Sequence, residues 1–110
     1  MDFVYVKDVA RAYVMAAAGD ACDIALNLGS GTEISLRELC RRLCDAAGRA
    51  GIEPQHQPAR KVNPVTRRQA AIERTERAIG FRASTSLDEG LRALIDWHGG
   101  QQELQTGRVA

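Results

Sequence analysis

Two four-residue strings of the same kind constrain the fold of this chain most. Ser35-Leu36-Arg37-Glu38 and Ser86-Leu87-Asp88-Glu89 each place a serine three residues before a glutamate. In such a capping box, the serine oxygen accepts a free backbone amide of the first turn, and the glutamate reaches back to the serine amide. Each string leads into leucines at helical spacing, with charged residues between them. The sequence therefore predicts two amphipathic helices, which begin at these boxes and end near Gly48 and at Gly99-Gly100.

Two further helices are predicted from composition and from residues that stop helices. The run Val9–Ala18 is rich in alanine and follows Asp8, whose carboxylate can accept the free amides of a helix start. The run Ile72–Ile79 is followed by Gly80, a residue that commonly ends helices. The chain is thus expected to contain about four helices.

Short apolar segments between the helices predict strands. Phe3–Val6 is continuously apolar, and Asp23–Leu28 places its branched residues on alternate positions. The segment Ile52–Pro58 is extended or strand-like, although its prolines limit it to an edge or a loop. The predicted fold class is α/β, a small fragment-like domain with short strands and about four helices.

Composition excludes several classes of protein. The chain has 110 residues, 45% of them hydrophobic, which fits one globular domain and argues against disorder. The longest apolar run, Ala12–Ala18, is far shorter than the roughly 20 residues of a membrane-spanning helix. A net charge of +1 gives no global attraction to nucleic acid or to a membrane. We expect a protein that contacts neither, and the cysteine content described next favours a reducing cytoplasm.

The three cysteines are Cys22, Cys40 and Cys44. An odd number without an export signal argues against a disulfide framework. Cys40 and Cys44 are four residues apart on one helical face, and no histidine stands close to them in sequence. Thiols within an apolar stripe are therefore expected here, and no metal site is predicted.

Positive charge is concentrated in one segment of the chain. Residues 60–82 hold seven arginine or lysine residues and two glutamates, a net charge of +5, so the rest of the chain carries −4. Because arginine makes paired hydrogen bonds to phosphate oxygens, this segment is a candidate anion site. A solvated basic face is the alternative interpretation. Nucleic-acid binding is disfavoured, since bases stack on aromatic side chains and Phe81 is the only aromatic residue of segment 60–82.

Five segments in order resemble one enzyme family. Residues 2–12 resemble the D-(F/Y)-(V/I)-(Y/H)-V-x-D-V-A-x-A block of the extended short-chain dehydrogenase/reductases, the NAD-dependent sugar-nucleotide epimerases and dehydratases. Residues 26–31 are similar to the N-(L/V)-G-(S/T)-G strand end of that family, and residues 35–39 to its S-x-x-E-L helix start. Residues 76–81 resemble its (K/R)-x-x-L-G-(W/F) block, and residues 86–97 its closing S-L-x-E-G-L helix with a tryptophan. The resemblance covers about residues 2–98.

The resemblance implies the C-terminal, substrate-binding part of such an enzyme. The family binds NAD through a G-x-x-G-x-x-G unit and moves protons with a Tyr-x-x-x-Lys pair, and this sequence contains neither. Residues 1–98 are expected to form the substrate-domain-like part, without the N-terminal Rossmann unit, and residues 99–110 a polar, disordered tail. No catalytic, cofactor-binding or metal-binding residue is predicted in this chain, although NAD is implied for a complete relative.

The resemblance also suggests which residues contact substrate. Family members hold a sugar-nucleotide diphosphate with an arginine that follows the third strand, and an acid nearby binds the ribose. The predicted substrate-binding residues are Arg60, Lys61, Asn63, Arg67 and Arg68. The family's acidic residue is missing, since Asn63 or Pro64 occupies its position.

The function that the resemblance implies is therefore that of a sugar-nucleotide-binding module, not catalytically competent alone. The alternative is a non-catalytic structural domain, the product of a truncated gene, that survives by self-association. Both interpretations favour a homo-oligomer, because strand edges and apolar surface left uncovered by a cofactor domain seek partners.

Overall fold

The computed structural model describes residues 1–58 and 67–106, with side chains described as far as residue 101. Four helices organise this part of the chain: α1 (Val6–Ala18), α2 (Leu36–Ala46), α3 (Glu73–Ile79) and α4 (Leu87–Thr106). Helix α2 packs against α4, and α1 packs against α3. The prediction of about four helices is confirmed.

The predicted strands do not form within the described residues. The single strand-type pairing there is an isolated antiparallel bridge between Asp2 and Glu33, beside a 2.9 Å hydrogen bond from the Ile34 amide to the Met1 carbonyl. Residues 23–28 and 52–58 run without a paired neighbour, and Val6 belongs to α1. A strand needs a second segment to exchange backbone hydrogen bonds with, and the described part of the chain supplies none. The α/β prediction is thus corrected to four helices joined by irregular segments.

Helix α1 begins earlier than the sequence predicts, and Asp8 does not cap it. The residue before the helix is Tyr5, which is extended and makes no side-chain capping hydrogen bond. Asp8 lies inside the first turn and is buried. Its carboxylate accepts hydrogen bonds from the backbone amides of Ser84 and Thr85, at 3.2 and 2.9 Å, and from the Arg11 guanidinium at 2.9 Å. Asp8 therefore fixes α1 to the segment that leads into α4.

The two predicted capping boxes both start helices. The Ser86 hydroxyl accepts the Glu89 amide at 3.3 Å, and the Glu89 carboxylate accepts the Ser86 amide at 2.8 Å. The Ser35 hydroxyl likewise accepts the Glu38 amide at 3.1 Å. The Glu38 carboxylate does not return this bond. It accepts from the guanidinium groups of Arg41 and Arg42 instead, so this box is half formed.

The predicted end of α4 at its two glycines was wrong. The helix continues through Gly99 and Gly100 to Thr106. Each glycine costs roughly 1 kcal/mol relative to alanine in a helix interior, which weakens a helix without obliging it to stop. The last four residues of the predicted tail lie outside the described residues.

The core is small. Among the described residues, the buried apolar side chains are Ala12, Phe81 and Leu91. The Arg11 guanidinium covers the Phe81 ring, with its central carbon 4.9 Å from the ring centre. Large apolar side chains stay exposed on the helices, among them Val6, Tyr13, Val14, Leu36, Leu94 and Trp97. These four helices therefore leave much of their apolar surface uncovered.

Candidate functional site

The Asp2 carboxylate gathers three distant segments of backbone at one point. It accepts hydrogen bonds from the backbone amides of Ser30, Gly31 and Ala70, at 2.8, 3.0 and 3.1 Å. The Ser30 hydroxyl donates to it as well, at 2.6 Å. Burial by itself raises the pKa of Asp2, but the Ser30, Ala70 and Gly31 hydrogen bonds outweigh burial and lower this pKa below its ordinary value. The ionised Asp2 carboxylate thus joins the start of the chain to the 29–31 turn and to the segment before α3.

The turn at residues 29–31 requires glycine at both ends. A β-carbon at Gly29 would overlap the Ala70 methyl group and lie 2.7 Å from an Asp2 carboxylate oxygen. Gly31 has a φ of +75°, a left-handed conformation that other residues rarely adopt. The two glycines allow the turn to approach Asp2 closely enough for its amides to donate.

Beside this junction lies an open depression with a volume of about 470 Å³. Its walls combine two guanidinium groups with side-chain amides and backbone. The lining residues are Asp2, Asn27, Leu28, Arg67, Arg68, Gln69 and Ala70. The fully buried Thr75 fixes one wall, since its hydroxyl donates to the Asn27 carbonyl at 2.7 Å. We name this depression the arginine depression.

Arg67 is held at the rim of the arginine depression by Glu33. Its Nε donates to the two carboxylate oxygens at 3.0 and 3.2 Å, and its Nη2 donates to Oε2 at 2.5 Å. The Arg67 side chain is 81% exposed and that of Glu33 is 21% exposed. The Arg67 guanidinium lowers the pKa of Glu33 below its ordinary value. The pair is therefore charged at neutral pH and orients Arg67, and an anionic ligand at this exposed guanidinium competes with Glu33 for its N–H donors.

The structure places two of the five predicted substrate-binding residues in one site. Arg67 and Arg68 both line the arginine depression. Arg60, Lys61 and Asn63 lie outside the described residues.

Sequence reasoning assigned no site role to four residues around this depression. Asn27 and Gln69 line it, Asp2 organises its backbone, and Glu33 positions Arg67. Asn27 and Asp2 belong to segments that resemble family motifs, so a signal for them existed. Glu33 carried no signal, because only folding brings it beside Arg67. Gln69 directly follows Arg68 in the sequence, but none of the recognised motifs includes it.

A larger cavity lies between residues 3–7, α2 and α4, with a volume of about 840 Å³. Its walls are mainly apolar, with leucines from both helices and Trp97 at its edge. It brings together no pair of groups suited to acid–base or nucleophilic chemistry. We name this cavity the apolar groove.

Charged side chains join α2 to α4 on another face. Arg42 donates to the Asp88 carboxylate at 3.3 Å and to Glu38 on its own helix at 2.8 Å. Arg41 pairs with Glu38 and with Asp45 in the same way. Of these pairs, Arg42–Asp88 links the two helices, and the others lie within α2.

The described residues offer neither a metal site nor a membrane span. No group of three histidine, cysteine, aspartate or glutamate side chains there is arranged to hold a metal ion. None of the described helices is both long and apolar enough to cross a membrane.

Known proteins with similar sequences and folds point to one enzyme class. The chain is 30% identical over 96 residues to a UDP-glucose 4-epimerase of Mycolicibacterium smegmatis, a match that covers 87% of this chain and 30% of that protein. The Bordetella bronchiseptica enzyme WbmF, solved in complex with NAD+ and UDP, matches with a TM-score of 0.77 and 30% identity over 94% of this chain and 31% of its own. The epimerase Mth375 of Methanothermobacter thermautotrophicus matches with a TM-score of 0.85 and 28% identity. This match covers 94% of this chain and 31% of the Mth375 chain.

This chain is homologous to one part of the NAD-dependent sugar-nucleotide epimerases and dehydratases. It spans about a third of the length of the relatives it matches. No family model matches the chain. The predicted relationship is thus confirmed as homology to a fragment of these enzymes, and the four helices represent a small piece of the larger epimerase fold.

Proposed function

We propose that this chain is a sugar-nucleotide-binding module, which holds the diphosphate of a nucleoside diphosphate-sugar in the arginine depression. The observation that carries the proposal is the position of Arg67 and Arg68 on one open depression beside two side-chain amides, Asn27 and Gln69. Support comes from the relatives, since one is a UDP-glucose 4-epimerase and another was solved with UDP.

The chemistry of the arginine depression suits a diphosphate ligand. A guanidinium group presents a planar fork of N–H donors that matches two phosphate oxygens. Arg67 and Arg68 both line the depression and are both exposed, so both can donate to one ligand that lies there. The Asn27 and Gln69 amides offer donors and acceptors for hydroxyl groups. The Gln69 amide is already oriented, because its nitrogen donates to the Gly31 carbonyl at 2.7 Å.

The module is proposed to bind without catalysing a reaction by itself. Hydride transfer in the homologous enzymes involves NAD, and the glycine-rich loop and the Tyr-x-x-x-Lys pair that the family uses are absent from this sequence. Arg67 and Arg68 can bind and orient an anion, but neither can take up a proton at neutral pH. Catalysis would therefore require residues from elsewhere.

Calorimetric titration of the chain with UDP-glucose tests this proposal. We expect saturable binding in the micromolar range, weakened about tenfold by Arg67→Ala and by Arg68→Ala, since each removes a charge-assisted contact. Arg37→Ala is the matched control, because Arg37 is an exposed arginine of α2 that does not line the depression. Absence of binding to UDP-, GDP- and dTDP-sugars, or equal weakening in all three variants, would overturn the proposal.

The alternative function, a non-catalytic structural domain, is supported by a different observation. Exposed fractions of 71% for Val6 and 61% for Trp97 are high for large apolar side chains. Self-association would cover such side chains whether or not a nucleotide binds. A chain that binds no sugar nucleotide but is oligomeric would favour this alternative.

A further inference from the structure

The segment that carries the two arginines of the arginine depression is held at both of its ends. Residues 67–70 form neither helix nor strand, so no regular backbone pairing fixes their position. At one end, the Arg67 guanidinium donates to the Glu33 carboxylate at 3.0 Å. At the other end, the Ala70 amide donates to the Asp2 carboxylate at 3.1 Å. The position of both arginines therefore depends on Glu33 and Asp2.

These two anchors are themselves neighbours in the fold. Asp2 and Glu33 face each other in the isolated antiparallel bridge. Beside them, the Ile34 amide donates to the Met1 carbonyl at 2.9 Å. Because this backbone pairing sets the spacing between residues 2 and 33, it also sets the spacing between the two points that hold the arginine-bearing segment.

The Asp2 carboxylate occupies a nest of hydrogen-bond donors that fits one small anion. Ser30 donates to it through its amide at 2.8 Å and through its hydroxyl at 2.6 Å, and the Gly31 amide donates at 3.0 Å. The Ala70 amide adds a further donor from a distant part of the chain. Backbone amides that converge in this way form a concavity that binds anions. The anion in this nest is a side chain of the protein itself.

The nest and the arginine depression share a wall. Asp2 and Ala70 both line the depression. The Gln69 side chain, which also lines it, donates to the Gly31 carbonyl at 2.7 Å. The turn also packs closely, since a β-carbon on Gly31 would lie 2.9 Å from the Ile72 Cδ1 atom. The glycine turn and the arginine-bearing segment are therefore in direct contact.

We infer that Asp2 is a positioning residue for the arginine depression, and that its nest accepts a free carboxylate when the Asp2 side chain is removed. By holding the Ala70 amide, Asp2 sets where Arg67 and Arg68 meet a ligand. Asp2 itself does not bind the diphosphate, because two anions repel each other. The part of this inference that concerns ligand affinity rests on the proposed function, and the part that concerns the nest does not.

Amide hydrogen exchange, followed by NMR, tests the nest. In Asp2→Ala, the amides of Ser30, Gly31 and Ala70 should exchange about tenfold faster, because each loses its acceptor. Sodium formate should slow these amides again by filling the nest, and sodium chloride at the same concentration should not. The Thr85 amide, which Asp8 holds, is the internal control and should not respond. Formate that acts no better than chloride would refute the nest.

Asp2→Asn is the matched variant, and it also decides the question if Asp2→Ala does not fold. Asparagine keeps the shape of the side chain but has one acceptor oxygen instead of two and no charge. We expect faster exchange of the Ala70 amide or the Gly31 amide in this variant, without rescue by formate, since the side chain still fills the nest. Exchange at the wild-type rate at both amides would contradict the inference.

The affinity for UDP-glucose tests the positioning role, because charge and position predict opposite changes. Removing an anion beside a site for an anionic ligand raises the affinity if only charge matters. We expect Asp2→Ala to weaken binding about tenfold instead, since both arginines lose their fixed position. Ser86→Ala is the control for a loss of stability alone, because Ser86 caps α4 and does not line the depression. Its affinity should equal that of the wild type.

The outcomes separate this inference from the proposed function. If the wild type binds UDP-glucose and Asp2→Ala binds it equally well or more tightly, the positioning role is wrong and the proposed function stands. If Ser86→Ala weakens binding as much as Asp2→Ala does, the effect of Asp2 is on stability alone and the positioning role is wrong. If the wild type binds no sugar nucleotide, the proposed function fails, and the exchange rates of the Ala70 and Gly31 amides still decide whether Asp2 holds this segment.

Discussion

The carboxylate of Asp8 accepts a hydrogen bond of 2.9 Å from the backbone amide of Thr85, a residue 77 positions further along the chain. This contact joins the first turn of α1 to the segment that enters α4. The Ser84 hydroxyl donates to the same carboxylate at 3.0 Å. Because these donors come from a loop, Asp8 fixes the position of that loop against α1, and with it the start of α4.

Replacement of Asp8 should therefore destabilise the whole chain. We expect Asp8→Ala to lower the free energy of unfolding by about 3 kcal/mol, since it leaves two partly buried backbone amides without their acceptor. Urea denaturation followed by circular dichroism measures this change. Asp20→Ala, at an exposed position, is the control and should change the free energy by less than about 0.5 kcal/mol. Equal effects of the two substitutions would contradict the assigned role.

The lowered pKa of Asp8 makes the free energy of unfolding depend on pH. Burial by itself raises the pKa of Asp8, but the Arg11 guanidinium and the Thr85 and Ser84 hydrogen bonds outweigh it and hold this pKa well below the ordinary value of 3.8. The unfolded chain then binds the proton more tightly than the folded chain does. The contribution of Asp8 is fully present above the unfolded pKa and is lost as the pH falls through 3.8 toward the lower folded value.

Measured unfolding free energies should accordingly decline below about pH 4. The free energy of unfolding should fall less steeply with pH in the Asp8→Asn variant, because an asparagine side chain binds no proton in this range. Asp2 contributes in the same direction, because its pKa is lowered as well. A wild-type stability that stays constant from pH 5 to pH 2.5 would contradict the prediction.

Removing the capping hydroxyl of Ser35 or Ser86 should destabilise the helix that each serine starts. Ser35→Ala and Ser86→Ala should each lower the free energy of unfolding by about 1 kcal/mol, because each leaves a first-turn amide without its acceptor. Ser→Gly at the same positions is the matched comparison and should cost only about a few tenths of a kcal/mol. Thermal or urea unfolding measures both. If alanine proves as stable as serine at both positions, the capping hydrogen bonds contribute nothing.

Glu33 is predicted to restrain nucleotide binding, on the basis of the proposed function. Because its carboxylate pairs with the Arg67 fork, an incoming diphosphate must compete for those N–H groups. Glu33→Gln removes the negative charge, and we expect it to raise the affinity for UDP-glucose about three- to tenfold. Glu53→Gln, at an exposed position outside the depression, serves as the control. If Glu33→Gln instead lowers the affinity, Glu33 helps binding by orienting Arg67 more than it hinders binding by competing with the diphosphate.

The chain is also predicted not to bind NAD by itself. The reason is the lack of a G-x-x-G-x-x-G unit in the sequence, which would let backbone approach a pyrophosphate at a helix start. Titration of the chain with NAD+ and NADH, monitored by calorimetry, measures this. Saturable binding with a dissociation constant below about 100 μM would contradict the prediction.

Helix positions could be predicted because their signals are local. Ser35 and Ser86 mark helix starts through contacts that span three residues, and Gly80 ends α3 with a φ of +67°. The basic segment was equally visible, so Arg67 and Arg68 could be proposed as ligand-binding residues. Homology to the epimerases and dehydratases was also recognisable from short motifs in order along the chain.

The sequence by itself therefore determined the number and approximate positions of the helices, the basic segment and the homology to part of these enzymes. The tertiary structure decided what depends on distant partners. Apolar runs predicted strands, but a strand forms only against a paired segment, and residues 23–28 have none within the described chain. Asp8 looked like a helix cap, yet its acceptor oxygens meet amides 76 and 77 residues away. Glu33 reaches Arg67 across 34 residues. Such contacts depend on how the helices pack, so no local pattern of residues records them.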